Sequence, residues 1–252
     1  MEKINCQIFN KNKTIKNFRK IETYIFLLIV AFCTGFSIIF NSIDIWIAWV
    51  SSFFGIIASK TASEGKWTTF VFDILSYIVY IFSCIKYQYY GEMILSYIVI
   101  FCHMIGIIQW KNNQNDNIVK VNKIKKKELF VFVLVGLALF GFYYSLLKTC
   151  HSNLAILNAI ATILFLMGNY CSYRRSVCQF VFWGIYEICF LITWFCTISY
   201  SSLGGIIFLI DGICELGYNI VGIKKWSKLK NSTNEIIKIQ CHKTKKVYCF
   251  KT

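Results

Sequence analysis

The sequence predicts an all-α integral membrane protein with about eight transmembrane helices. Three observations predict it. The chain of 252 residues is 57% hydrophobic and 18% aromatic with only 15% charged residues, too little polarity to clothe a soluble domain. Apolar runs near the length that crosses a bilayer recur from end to end. The basic residues fall on alternate loops between those runs.

The spans are read at about 24–41, 43–59, 68–86, 89–110, 128–147, 153–172, 177–198 and 203–223. The first follows a basic stretch holding Lys3, Lys11, Lys13, Lys16, Arg19 and Lys20, with no small-x-small cleavage site after it. It reads as a retained span rather than a signal peptide. Lys60 and Lys66 flank the turn from the second span to the third, and Lys86 ends the third. The fourth runs into Lys111, Lys120, Lys123, Lys125, Lys126 and Lys127, and Lys148 ends the fifth. Arg174 and Arg175 separate the sixth from the seventh, and the eighth enters a tail basic from Lys224 to Lys251. One side thus holds all the basic residues except Lys86 and Lys148, which is the positive-inside signature. Both termini are expected in the cytoplasm, with the protein in the plasma membrane. The net charge of +15 sits on these loops, so it points to topology and anionic lipid and not to nucleic acid.

Twelve Cys carry no Cys-x-x-Cys pair and no zinc-ligand spacing, and Cys150–His151 and Cys241–His242 stand isolated. No metal or cofactor is expected. Proline is absent, so breaks must come from Gly or Ser, and Gly91 and Gly204–Gly205 are candidate flexible helix starts.

One pattern occurs twice. His103, Gly106 and Trp110 have the spacing of Asn219, Gly222 and Trp226, each set followed by lysines. Upstream, Phe70-Val71-Phe72-Asp73 echoes Phe180-Val181-Phe182-Trp183. A duplicated three-helix unit accounts for both. With one helix between the units they are parallel repeats about the membrane normal, with the site between them near the midplane. The expected order is an extra helix in 1–42, a first repeat in 43–110, a basic loop and linker helix in 111–150, a second repeat in 151–226 and a basic tail in 227–252.

Charged groups inside spans are costly and mark the interior or a watery cavity. Glu187 is near the middle of the seventh span, and Trp183 and Phe180 share its face at four and seven residues before it. Asp211, Glu215 and Asn219 make an i, i+4, i+8 stripe on the eighth. Ser96, His103 and Gly106 line up on the fourth, with Tyr97 adjacent, and Asn158 and Asn169 are on the sixth. Asn158 and Ser96 read first as hydrogen-bonding glue between helices. Asp44 and Glu92 read as solvated at outer ends. Asp73 is open between a site role and an ion pair with Lys60 or Lys66, and His103 between packing and the site. Trp110 and Trp226 read as interfacial anchors beside lysines.

Several of these runs carry a resemblance. Tyr90-Gly91-Glu92-Met93-Ile94-Leu95-Ser96 with Met104-Ile105-Gly106 and Trp110-Lys111 is similar to the matching stretch of PnuC-type vitamin transporters. Gly55-Ile56-Ile57-Ala58-Ser59-Lys60 to Gly65-Lys66, then Arg174-Arg175, Phe180–Trp183 and Tyr218–Gly222 with Trp226, follow in the family's order. The resemblance covers about residues 43–228. It implies a three-plus-one-plus-three, SWEET-like fold, usually a homotrimer. It also implies facilitated diffusion of nicotinamide riboside made directional by a cytoplasmic kinase, with thiamine, riboflavin and deoxynucleosides carried by relatives. This chain departs from the pattern. Phe180-x-x-Trp183 stands for Trp-x-x-Trp, Glu187 for an amide, and Ser96 and His103 for Asn and Gln.

The expected function is a carrier, not an enzyme, for a small flat cationic vitamin. Trp183, Glu187, Phe180, Asn219, His103, Asn169, Asp211, Glu215, Asp73 and Tyr97 are the candidate substrate-binding residues. A pyridinium ring suits an aromatic face beside a carboxylate. No nucleotide-hydrolysis motif is visible. The rivals are proton coupling through Glu187, Asp211 or Glu215, and a membrane enzyme, for which no nucleophile–base constellation speaks.

Overall fold

A computed structural model of the chain describes residues 2–86, 90–115, 118–149, 154–198 and 203–248. The side chains of Lys3 to Arg19, Lys86, Glu92, Lys126 and the tail from Lys230 to Tyr248, Cys241 and His242 among them, together with the whole of the Cys150–His151 pair and of residues 249–252, lie outside the described residues.

The described residues form eight helices: α1 (Glu2–Phe40), α2 (Ile43–Ser63), α3 (Thr69–Lys86), α4 (Tyr90–Lys111), α5 (Lys126–Thr149), α6 (Ala155–Tyr173), α7 (Cys178–Ile198) and α8 (Gly204–Tyr248). Six of them are long and apolar enough to cross a membrane, and α3 and α4 contribute the shorter apolar stretches Thr69–Ile85 and Leu95–Lys111. The outward faces carry the apolar side chains that lipid requires: on α5, Phe130, Leu134, Leu137 and Phe142 are all exposed. Two helices run further than their apolar spans. α1 begins at Glu2 and α8 ends at Tyr248, because the lysine-rich flanks contain no Gly or Pro stop.

Helix α2 packs on α3 and α8, α6 on α7, α7 on α8, α3 on α4, α5 on α6 and α1 on α2, with a lighter contact of α4 on α6. The turns that end α2 and α6 have matching hydrogen bonds. The Gly65 N–H donates to Ala62 and the Lys66 N–H to Thr61, as Arg175 does to Ser172 and Ser176 to Cys171. Each is a Schellman closure through a left-handed residue, Gly65 at φ 75° and Arg175 at φ 57°. Glycine takes that conformation freely; Arg175 does so at some strain.

The basic loop after α4 contains a short antiparallel hairpin, β1 (Gln114–Asn115) and β2 (Ile118–Val119), which the sequence reading left as loop. It straps the two turns together. The Val119 N–H donates to the Gly65 carbonyl at 2.9 Å, and the Asn122 N–H to that of Arg175 at 2.9 Å. Glu128 then ties α5 to α6, accepting from the Tyr170 hydroxyl at 2.7 Å and from Arg174 Nε at 2.7 Å. These two partners hold the Glu128 carboxyl below the usual carboxylate range. Burial beside Arg174 lowers the Arg175 guanidinium from its ordinary value.

Trp110 and Trp226 are not interfacial anchors. Both are fully buried, with ring centroids 5.4 Å apart. Their indole N–H groups cross to the opposite half: Trp110 donates to the Ser172 carbonyl at 2.9 Å and Trp226 to that of Ala62 at 3.2 Å. Gly106 and Gly222 make room for the rings of Phe70 and Phe180 beside them. A Cβ on Gly106 would stand 2.8 Å from the Phe70 ring, and one on Gly222 2.5 Å from that of Phe180. Trp110, Trp226, Phe70, Phe180, Ala62 and Val119 form a buried plug at the end of the bundle nearest the basic loops. At the other end Cys33, Ile45, Trp49, Trp194, Ile207 and Phe208 form a second.

Candidate functional site

Between the two plugs lies a cleft with a cavity of about 80 Å³. Residues of α2, α3, α4, α6, α7 and α8 line it.

The i, i+4, i+7 period of a helix explains which side chains converge. On α7, Trp183, Glu187 and Phe190 face inward. On α8 the stripe Asp211, Glu215 and Asn219 does so, with Phe208 one turn earlier. On α3 the same period brings Asp73, Tyr77 and Tyr80 to the cleft. Helix α2 presents small groups, Ser51, Gly55 and Ser59. Gly55 is needed for that approach. A Cβ there would stand 2.9 Å from Glu215 Oε1 and 3.6 Å from Asp211 Oδ1. Reciprocal bonds fasten α2 to α3 beside the cleft, Ser51 Oγ to the Ser76 carbonyl at 3.1 Å and Ser76 Oγ to that of Ser51 at 2.9 Å.

His103 is 1% exposed on α4. Its Nε2 is 3.4 Å from Asp73 Oδ2 and its Nδ1 is 3.1 Å from the Tyr173 hydroxyl. Asp73 therefore faces His103 and not Lys60 or Lys66. Lys66 pairs with Glu64, and the Lys60 ammonium sits 5.6 Å over the Phe26 ring. Trp183 abuts α6 at Gly168, where a Cβ would stand 2.3 Å from its Cδ1 and 2.5 Å from its Nε1. Its indole N–H is buried and has no hydrogen-bond partner, and the same holds for Asp211 Oδ1. Among the described lining residues there is no lysine or arginine, so the cleft is acidic with an aromatic wall.

The structure brings eight of the ten candidate residues to this cleft: Asp73, His103, Asn169, Trp183, Glu187, Asp211, Glu215 and Asn219. The Asn169 amide is turned back on its own helix, donating to the Phe165 carbonyl at 3.1 Å. Phe180 lies behind the cleft, 1% exposed in the plug with its ring 6.0 Å from that of Trp183. Tyr97 points outward, 56% exposed. Ser96 and Asn158 do not line the cleft. Sequence reasoning missed Tyr77, Tyr80, Tyr186, Phe165, Phe190 and Phe208, whose rings make most of the aromatic wall. Tyr77 and Tyr80 follow Asp73 at four and seven residues, so extending that stripe would have found them.

Known proteins carry this architecture. A solved structure described as the crystal structure of the Vitamin B3 transporter PnuC matches with a TM-score of 0.71 at 20% identity, covering 83% of this chain and 91% of that one. At that identity the likeness is one of fold. A relative from Neisseria mucosa, nicotinamide riboside transporter PnuC, is 22% identical over 198 residues, 76% of this chain and 75% of the relative. The family model described as nicotinamide mononucleotide transporter matches residues 45–228. That match takes in every residue of the cleft, and this membrane protein belongs to the nicotinamide mononucleotide transporter family.

Proposed function

We propose that this chain is a carrier for nicotinamide riboside. The observation that carries the proposal is the acidic, aromatic cleft without lysine or arginine among its described lining residues. A pyridinium ring is a flat cation. It gains from the Trp183 face and from the Glu187 carboxylate, in a setting where water screens neither contact. The ribose hydroxyls and the amide meet Asn219, Asp211 and the unpaired indole N–H of Trp183. A phosphorylated substrate would find no basic side chain there other than His103.

The architecture belongs to the same proposal. The chain crosses the plasma membrane eight times with both termini in the cytoplasm, as the basic loops favour. Residues 43–110 and 151–226 are parallel three-helix repeats in a three-plus-one-plus-three, SWEET-like order. The matching turns at Gly65 and Arg175 and the reciprocal bonds of Trp110 and Trp226 support that reading. A trimeric assembly and trapping by a cytoplasmic kinase complete it, on the family likeness. No hydrolysis motif supplies a pump.

Titration of the purified protein with nicotinamide riboside, thiamine, riboflavin and a deoxynucleoside tests the substrate. The first should bind most tightly. Preference for riboflavin or a deoxynucleoside, which are neutral in their ring systems, would move the assignment to that relative's substrate class.

A further inference from the structure

Away from the cleft, α1 and α8 frame a groove of about 340 Å³. Helix α1 packs on α2, and no comparable packing joins it to α8 among the described residues. The lining follows the helical period: Ile25 and Ile29 from α1, Cys214 and Val221 from α8, with the buried Ile56 of α2 behind them. Gly217 deepens the groove, since a Cβ there would meet nothing within 4 Å. Ile21, Ile25 and Ile213 on its rims are each more than half exposed, so the groove opens sideways to the bilayer. An apolar cavity of about 150 Å³ already takes a guest the size of benzene and stays dry. A larger apolar groove facing lipid is a seat for an acyl chain.

One end of the groove is not apolar. Glu22 is the third residue of the apolar span Lys20–Phe40, at headgroup depth, and lines the groove one turn before Phe26. Its Oε1 is buried and has no hydrogen-bond partner among the described residues. The Lys60 ammonium, in the last turn of α2, sits 5.6 Å over the Phe26 ring. The mouth of the groove thus offers one acid and one base beside an apolar channel.

We propose that this groove binds a phospholipid whose headgroup ends in a primary ammonium, phosphatidylethanolamine, from the leaflet on the side of the basic loops. An acyl chain lies along the isoleucines, the ammonium donates to Glu22 and the phosphate meets Lys60. Charge complementarity selects the headgroup. A carboxylate shielded from water is costly without a donor. The quaternary ammonium of a choline headgroup has no N–H to give it, and an anionic headgroup brings net negative charge towards it. The lipid bridges α1 to α8 and so fastens the first helix to the bundle. No residue lines both this groove and the substrate cleft, so the inference stands apart from the substrate reading.

The test is native mass spectrometry of the purified full chain, titrated in detergent with phosphatidylethanolamine, phosphatidylcholine and phosphatidylglycerol of identical acyl chains. Phosphatidylethanolamine should add saturably, one per chain, about tenfold more tightly than phosphatidylcholine, the size of one charge-assisted hydrogen bond. Glu22→Gln should bring it down to the phosphatidylcholine level and leave phosphatidylcholine unchanged. Gly217→Leu fills the open space and should abolish the saturable addition. Equal affinity for the ethanolamine and choline lipids in the wild type would overturn the proposal, as would a preference that survives Glu22→Gln. Preference for phosphatidylglycerol, lost in Lys60→Gln, would overturn it in favour of a general anionic-lipid site. Saturable addition that persists in Gly217→Leu would place the lipid elsewhere and overturn it too. No lipid addition, with Gly217→Leu changing the oligomeric mass, would show that a second copy of the chain covers the groove instead.

Discussion

Replacing Gly222 by alanine tests how tightly the inner plug is built. The added Cβ would stand 2.5 Å from Phe180 Cε1 and 2.6 Å from Cδ1, where carbon atoms need about 3.5–4.0 Å. Phe180 cannot swing aside, because it is 1% exposed and meets the rings of Trp183 and Trp226 edge-on. Overpacking of this kind costs about 1–3 kcal/mol. Alanine returns up to about 1 kcal/mol of helix propensity. Gly141 is the control, since a Cβ there meets nothing within 4 Å. Gly141→Ala keeps the propensity gain without the clash, so the two variants should differ by about 1–3 kcal/mol. At about 2–4 °C per kcal/mol, their melting midpoints should separate by roughly 2–12 °C. Thermal unfolding of both variants in one detergent measures it. Gly222→Ala melting with or above Gly141→Ala would refute the close packing. Phe180 also backs Trp183, so the same variant should weaken substrate binding, and Gly141→Ala should not.

Three further outcomes are expected. Trp183→Ala removes a face for the ring cation, about 0.5–2 kcal/mol, and should weaken nicotinamide riboside about two- to thirtyfold by titration. Trp226→Phe removes a hydrogen bond to a carbonyl that Gly65 still satisfies, so unfolding should register a loss of about 0.5–1.5 kcal/mol; an interfacial anchor would lose no such bond. Glu128→Gln should destabilise at neutral pH and less so in acid. The Glu128 carboxyl is held low by Tyr170 and Arg174, so its contribution is present above the unfolded carboxyl value and lost as the pH falls through the folded one, which melting curves across that range will show.

The helices were legible because lipid imposes one rule on every span, an apolar stretch of fixed length. Their ends were less legible where lysine-rich flanks continue a helix into water, as at α1 and α8. The paired sequence pattern of Gly106–Trp110 and Gly222–Trp226 was legible, but what its two Trp side chains do was not. A Trp beside lysines suits a membrane interface, and only packing shows that these two face each other and bond across the halves. In the cleft, charged residues announced themselves by their cost in a span, which is how Glu187, Asp211 and Glu215 were found. The aromatic wall did not, because Tyr77, Phe190 and Phe208 look like ordinary lipid-facing or core residues until α3, α7 and α8 are placed around them. Tyr97 shows the reverse error, since adjacency to Ser96 in sequence places it about 100° away around α4. The hairpin that straps Gly65 to Arg175 rests on pairs too short to leave a strand pattern.

Uptake into liposomes tests the central claim most directly. Purified protein reconstituted without nucleotide should take up labelled nicotinamide riboside in a saturable manner, to equilibrium, and excess unlabelled ligand should compete. The Trp183→Ala, Glu187→Gln double variant should fall towards protein-free vesicles. Uptake by the wild type no faster than in protein-free vesicles, or a double variant as active as the wild type, would contradict the account.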